Sequence, residues 1–441
     1  MEQFKNALRT LTQRICRELE GQEIPTRPVW TVVNSPEGTP YVAMDVERPA
    51  LSDLHGGLSI GLSRLPEYGA AAEAVENDPE LREGIIVDAG GFLQKPERIN
   101  ITRNLLTNFL WRYLREGVQL DWDETRFVET FNELGAELRR KSVILHTTLP
   151  LSNLKMDIAE LDFGDELKLL PASIKELERW INPDRSLPPF GAGPPQWDTR
   201  YVDKPAVLHA RQAVVGRPPT TDLNAVLGQL PRVDADHAMT ALRLVLNAPI
   251  TVIFQEHESE GLMAFGGVGT SWGWPPPLLG PLAILDQGKA TQVKHVWRLL
   301  QTSPNIEHLR LPLRRWETSL VRPSFDDRLI DAWIGLEYLL LGGREGELSY
   351  RAAVRLAEFL GTSGVERKAI YDAARLSYTW RSVIVHSLSS KRVAKRQPLQ
   401  ESVQLTTGYL RSVLLKLLDS PSRFDPNKLE SDLLSRDAQA P

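Results

Sequence analysis

A single cysteine, Cys16, stands in 441 residues. One thiol can form no internal disulfide and no cysteine-based zinc site, and it fits a reducing compartment such as the cytoplasm. No run approaches the roughly 18 unbroken apolar residues of a membrane span. The most apolar stretch, Trp333 to Leu341, is short and carries Glu337. The opening MEQFKNALRT lacks the charged-then-apolar pattern of a signal peptide. Excess positive charge is also missing. The formal net charge is -5, so any contact with nucleic acid requires a local basic patch. These absences lead us to expect a cytoplasmic protein with no membrane partner. What remains is ordinary: 42% hydrophobic and 25% charged residues, as in globular proteins. The length exceeds what one core holds, so two or three domains are expected.

Phe4, Leu8, Leu11, Ile15 and Leu19 recur at helical spacing, which predicts a helix over 3–20 that Pro25 and Pro28 end. From 29 to 100 the pattern is strand-like. Short β-prone runs at 30–33, 41–44, 58–62 and 84–87 are separated by Gly, Pro, Asn and Asp. Helices are expected over 102–117 and 123–141. A strand from Val143 should end at Pro150, and a hairpin should turn around Gly164 and Asp165, with a helix from about 173. Residues 182–198 and 266–281 are rich in Gly and Pro and read as loops. Strands are expected at 206–215 and 249–255, with a helix near 236–246 between them.

After Ser324 the strand signals vanish. Four helical segments are expected, at 325–341, 347–360, 364–386 and 398–418, separated by Gly342-Gly343, Gly361–Gly364 and Ser387–Arg396. Short connections between amphipathic helices are the pattern of a small bundle. Leu329, Trp333, Leu336, Leu340, Leu356, Val383 and Leu414 fall on its core positions. The fold class is therefore α+β: a mixed strand and helix region followed by an all-α four-helix bundle. The expected division is a helix over 1–24, an α+β region over 25–318 with a candidate split near 149, and a helical domain over 319–441.

The third bundle helix reads Tyr378-Thr-Trp-Arg381-Ser382-Val-Ile-Val-His386-Ser387. An Arg-x4-His run late in a helix, with an aromatic lead-in and Val before His, resembles the HEPN ribonuclease motif. Phe325-Asp-Asp-Arg-Leu-Ile-Asp-Ala-Trp-Ile-Gly-Leu-Glu337-Tyr-Leu-Leu-Leu-Gly resembles the first helix of the Apea-like HEPN family. Tyr350-Arg-Ala-Ala-Val-Arg-Leu-Ala-Glu-Phe-Leu-Gly fits its second. The likeness covers about 320–420. Two positions depart from it: Ser387 stands where many members have Gly, and Ser382 where Asn, Asp or His is frequent after the Arg.

The resemblance implies a homodimer whose two motifs meet in one cleft, an RNA substrate, and a role in bacterial defence against phages. It also implies a sensor in the region before 319, triggered by a ligand or a phage component. RNA cleavage by attack of the 2′-hydroxyl needs a base, for which His suits neutral pH. It also needs a fixed cation for the phosphoryl charge, for which Arg is suited because it can bind bidentately. The candidate catalytic residues are Arg381, His386, Ser382 and Glu337. Lys391, Arg392, Lys395 and Arg396 are candidates for gripping RNA phosphates. The chemistry requires no metal and no cofactor. Residues five apart on a helix stand about 140° out of phase, so Arg381 and His386 cannot share the centre of one face. The rival reading is a non-catalytic dimerisation or RNA-binding module joined to a ligand-sensing region, with Arg381 paired to Glu337 and His386 capping its helix.

Gly57-Leu-Ser59-Ile-Gly61 matches G-x-S-x-G, but no strand-turn-helix context surrounds it. Gly266–Gly269 lacks the Lys-Ser/Thr of a phosphate loop. His55, His146, His209, His237, His257, His295 and His308 show no ligand spacing, and Asp326, Asp327 and Asp331 suit helix capping better than a metal.

Overall fold

The computed structural model describes residues 1–20, 26–34, 40–49, 64–79, 81, 98–114, 119–138, 142–164, 166–174, 176–177, 205–215, 232–259, 269–272, 282–341, 348–386, 394–395 and 397–429. The chain is α+β and divides into two compact units. The first comprises Met1–Ser152, Ala159–Arg232 and Val252–Pro275, and the second Asn153–Ile158, Val233–Thr251 and Pro276–Pro441.

The first unit opens with α1 (Glu2–Leu19), which buries the five apolar residues that its period singles out. A hairpin of β1 (Thr26–Asn34) and β2 (Pro40–Pro49) follows. Residues 29–100 are not strand-like throughout, which corrects the expectation. Helix α2 (Pro66–Asn77) occupies part of the span, and α3 (Arg98–Tyr113) begins within it. The reason is local: Pro66 stands at the first helical position, where its missing N–H costs nothing, and the Ala-rich run behind it favours helix. The runs at 58–62 and 84–87 lie outside the described residues. With α4 (Glu124–Leu138) these helices enclose a core in which Phe4 meets Phe131 at 6.0 Å and Phe109 meets Phe127 at 5.7 Å. Cys16 is buried there, and desolvation pushes its thiol up.

The second half of this unit is a sheet. Strand β3 (Ser142–Met156) does not end at Pro150. Proline lacks a donor but keeps its carbonyl, and Ile253 N–H donates to Pro150 O at 2.9 Å, so the residue stays in the strand. The hairpin of β4 (Leu161–Gly164) and β5 (Leu167–Pro171) turns where expected, with Gly164 at φ 90°. Strand β6 (Pro205–Val215) lies between β5 and β3. After the two-residue β7 (Thr251–Val252), β8 (Phe254–Ser259) and β9 (Gly269–Trp272) come beyond β3, so part of the stretch taken as loop is strand. Residues 182–198 lie outside the described residues.

In the second unit, α5 (Arg232–Leu246) precedes β10 (Ala283–Leu285), which pairs in parallel with residues 154–156. Among the described residues six helices follow: α6 (Gln287–Thr302), α7 (Ile306–Val321), α8 (Phe325–Leu341), α9 (Leu348–Leu360), α10 (Gly364–Val385) and α11 (Leu399–Leu418). The last four match the expected segments to within one residue at each end. Helix α8 packs on α7 and α11, and α9 on α10. Leu329, Trp333, Leu336, Leu340, Leu356, Val383 and Leu414 are all buried, together with Trp316 of α7. Position 319 falls inside α7, and the unit that holds the last four helices begins upstream of it.

Candidate functional site

Helix α10 carries the Arg-x4-His run, and its start is well specified. Ser363 Oγ accepts from Glu366 N–H at 3.1 Å, and Glu366 accepts from Thr362 N–H at 2.8 Å. This differs from a capping box in one respect: the carboxylate reaches back to Thr362, one residue before the N-cap, rather than to Ser363 itself. Tyr378 and Trp380 are core residues. Trp380 Nε1–H donates to Gln397 O at 2.9 Å, and Trp333 Nε1–H to Ser377 Oγ at 2.9 Å. Ser377 Oγ in turn bonds Thr406 Oγ1 of α11. Buried polar groups with partners fix α10 to its neighbours rather than only packing against them.

Arg381, on the last turn but one of α10, is half-buried. Its Nη2 donates to Glu337 Oε2 of α8 at 3.3 Å, and its guanidinium stands 5.5 Å from the Tyr378 ring centroid. Two atoms of this group, Arg381 Nε and Glu337 Oε1, are buried without a hydrogen-bond partner. Tyr378 completes the cluster. Burial, then the hydrogen bond that its phenol donates to Glu337 and the charge of that carboxylate, push it up to about 12. The phenol stays protonated at any physiological pH and acts there as a donor. Tyr378 was legible only as core. The Tyr-x-x-Arg spacing puts the two side chains on neighbouring turns of one face, but its link to Glu337 needs the α8–α10 packing.

His386 is not in the helix. It is the C-cap, with φ -101° and ψ 9°, its N–H donates to Ser382 O at 3.0 Å, and its side chain is exposed. Ser382 is half-buried one turn before it. Among the described residues no hydrogen bond joins Arg381 to His386. The structure therefore brings together Arg381, Glu337 and Tyr378, and leaves His386 at the helix end, facing solvent. Of the basic run, Lys395 is exposed, and Lys391, Arg392 and Arg396 lie outside the described residues, as does Ser387.

Asp331 is buried and ion-paired to Arg315 at 2.8 Å and Arg322 at 3.3 Å. Asp326 and Asp327 are exposed in the first turn of α8. No group of three or more potential metal ligands occurs among the described residues. The G-x-S-x-G run, His55 and the glycines at 266–268 lie outside them. No helix of the described residues is long and apolar enough to cross a membrane. No protein-family model, curated protein or solved structure matches the chain.

Proposed function

We propose that the chain is a metal-independent endoribonuclease of the Apea-like HEPN kind, with α8 to α11 as its catalytic bundle. The observation that carries this reading is the end of α10. A solvent-facing imidazole caps the helix one turn and a residue beyond a half-buried guanidinium that bonds a carboxylate and lies against a tyrosine ring. In this reading His386 takes the proton of the 2′-hydroxyl and Arg381 meets the phosphoryl oxygens. Glu337 orients Arg381 until RNA arrives, and Ser382 lines the approach. Lys395 and the rest of the basic run add phosphate contacts. Two chains pair through the bundle, so that Arg381 of one and His386 of the other face a single cleft. The first unit senses a ligand or phage component in the cytoplasm of a bacterial cell, and RNA cleavage then halts that cell.

A second reading, a non-catalytic module, has two observations in its favour: Arg381 is paired to Glu337 and His386 caps its helix, as that reading expects. The Arg381–Glu337 pair packed on Tyr378 is also what a purely structural contact looks like, and a bundle held by it could dimerise or bind RNA without cutting it. Incubating the purified protein with bulk RNA and excess EDTA separates the two. Wild type should cleave and leave 2′,3′-cyclic phosphate ends, while His386→Ala should not. Cleavage that needs a divalent metal, 3′-hydroxyl products, or full activity of His386→Ala would each refute the mechanism.

A further inference from the structure

We propose that the outer face of α10 is a track for single-stranded RNA, gripped by Tyr350, Lys368, Tyr371 and Arg375 and leading to His386; it rests on the ribonuclease reading. Lys368, Tyr371, Arg375, Thr379 and Ser382 recur three or four residues apart, so they fall within about 80° of one another around the helix. Lys368, Arg375 and Thr379 are exposed, Tyr371 and Ser382 half-buried, and His386 follows, exposed, at the cap. The distance from Tyr371 to the helix end is about 21 Å, room for several nucleotides.

The chemistry of the face is specific. Tyr350 of α9 is 49% exposed, and its ring stands edge-on to that of Tyr371 at 6.2 Å. Lys368 Nζ lies 6.0 Å from the Tyr371 ring centroid, one turn before it, and the Arg375 guanidinium 5.8 Å, one turn after it. Arg375 Nη1 also donates to Tyr371 Oη at 2.9 Å, which holds the ring in place. An exposed and a half-buried ring beside cations suit a strand that offers a base to each ring and a phosphate to each cation. Among the described residues the acid of this face is Asp372, bonded to Lys368. Exposed pairs of that spacing contribute little to stability, so a phosphate can displace it. A protein partner would need an apolar centre, whereas these rings are flanked by charges and hydroxyls. The chain as a whole carries a net charge of -5, which makes a local cationic face the place where a polyanion can bind.

The test is fluorescence anisotropy of a labelled twelve-nucleotide uridine strand with the full chain, in EDTA, across a salt series. The protein carries His386→Ala, so that the probe survives. Tyr350→Ala and Tyr371→Ala should each weaken binding at least about fivefold. Lys368→Ala with Arg375→Ala should lower the slope of log affinity against log salt by about 1.4, the value for two lost single-strand phosphate contacts. Tyr371→Phe, which keeps the ring, should keep the affinity. If Tyr371→Ala loses helicity, the Phe variant and the paired charge variant decide. Unchanged binding by the Tyr350→Ala, Tyr371→Ala and paired charge variants, no binding by the parent protein at low salt, or equal binding of a duplex of the same length would each overturn the track. The first of these leaves the ribonuclease reading to the EDTA assay. Weakened binding by the variants alongside a wild type that cleaves nothing would keep the track and discard the ribonuclease.

Discussion

Arg381 makes a single contact with Glu337, at 3.3 Å, although a guanidinium and a carboxylate can meet through two bonds. The unpartnered Nε and Oε1 show that the paired geometry is not reached. A side chain placed for stability alone would be expected to close both bonds, because buried polar atoms left single are costly. We therefore expect a weak coupling. A double-mutant cycle of Arg381→Ala and Glu337→Ala, read by urea unfolding, should return under about 1 kcal/mol. RNA cleavage by Arg381→Ala should fall about a hundredfold or more if the guanidinium meets the transition state. A coupling of about 3 kcal/mol or more, with cleavage falling only in step with stability, would make the pair structural.

The four helices α8 to α11 were legible because each has an apolar face with a helical period, and because glycine punctuates the chain between α9 and α10. Helix α7 was not, and Pro312 is the reason: a proline inside the period reads as a stop. In the fold it is buried within α7 beside Leu309, Leu313 and Trp316. Helix α6 was not expected either; its N-cap is Asp286, whose side chain accepts from Lys289 N–H at 2.9 Å. At the site, Arg381, Glu337 and His386 stood out in the sequence through their motif. The Arg381–Glu337 contact was expected only under the non-catalytic reading, because choosing it over a shared Arg381–His386 site depends on packing between residues 44 apart in sequence. The helix contacts also rank two glycines. A Cβ at Gly361, between α9 and α10, would meet Arg367 Cγ and come within 2.8 Å of Ala357 O and 3.0 Å of Arg367 Cα. Two of those three are backbone and cannot step aside. A Cβ at Gly335 on α8 would meet Leu410 Cδ2 at 2.7 Å, the free end of a side chain that can turn. Gly361→Ala should cost about 1–3 kcal/mol in thermal or urea melts, and Gly335→Ala less. The reverse order would mean that the α8–α11 contact is the more rigid of the two.

At the scale of the whole chain, where the helical unit begins decides what can be cut away. The change in sequence character suggests 319, but that position lies inside α7. A chain starting there would lose α6 and most of α7. With them go Leu309, Leu313 and Trp316, all buried in the second unit, and Arg315, one of the two partners of the buried Asp331. Fully burying an aliphatic or aromatic side chain is worth about 1.5–3 kcal/mol. Three such losses, with a buried carboxylate half deprived of its ion pair, approach the whole 5–15 kcal/mol that holds a typical domain. A fragment of residues 282–441 keeps both helices and β10, and one of 233–441 adds α5, whose last carbonyls, Leu244 O and Val245 O, accept from Arg411 of α11. We expect 319–441 to show no cooperative thermal transition by circular dichroism, 282–441 to melt cooperatively, and 233–441 to melt higher still. If 319–441 melts as sharply as 282–441, α6 and α7 are accessories and the last four helices form a domain of their own. The EDTA assay on the shortest fragment that folds then asks where regulation resides. Faster RNA cleavage than by the full chain would place a restraint upstream of the fragment, as a sensor requires. A folded fragment that no longer cleaves, beside an active full chain, would instead assign part of the chemistry to the region removed.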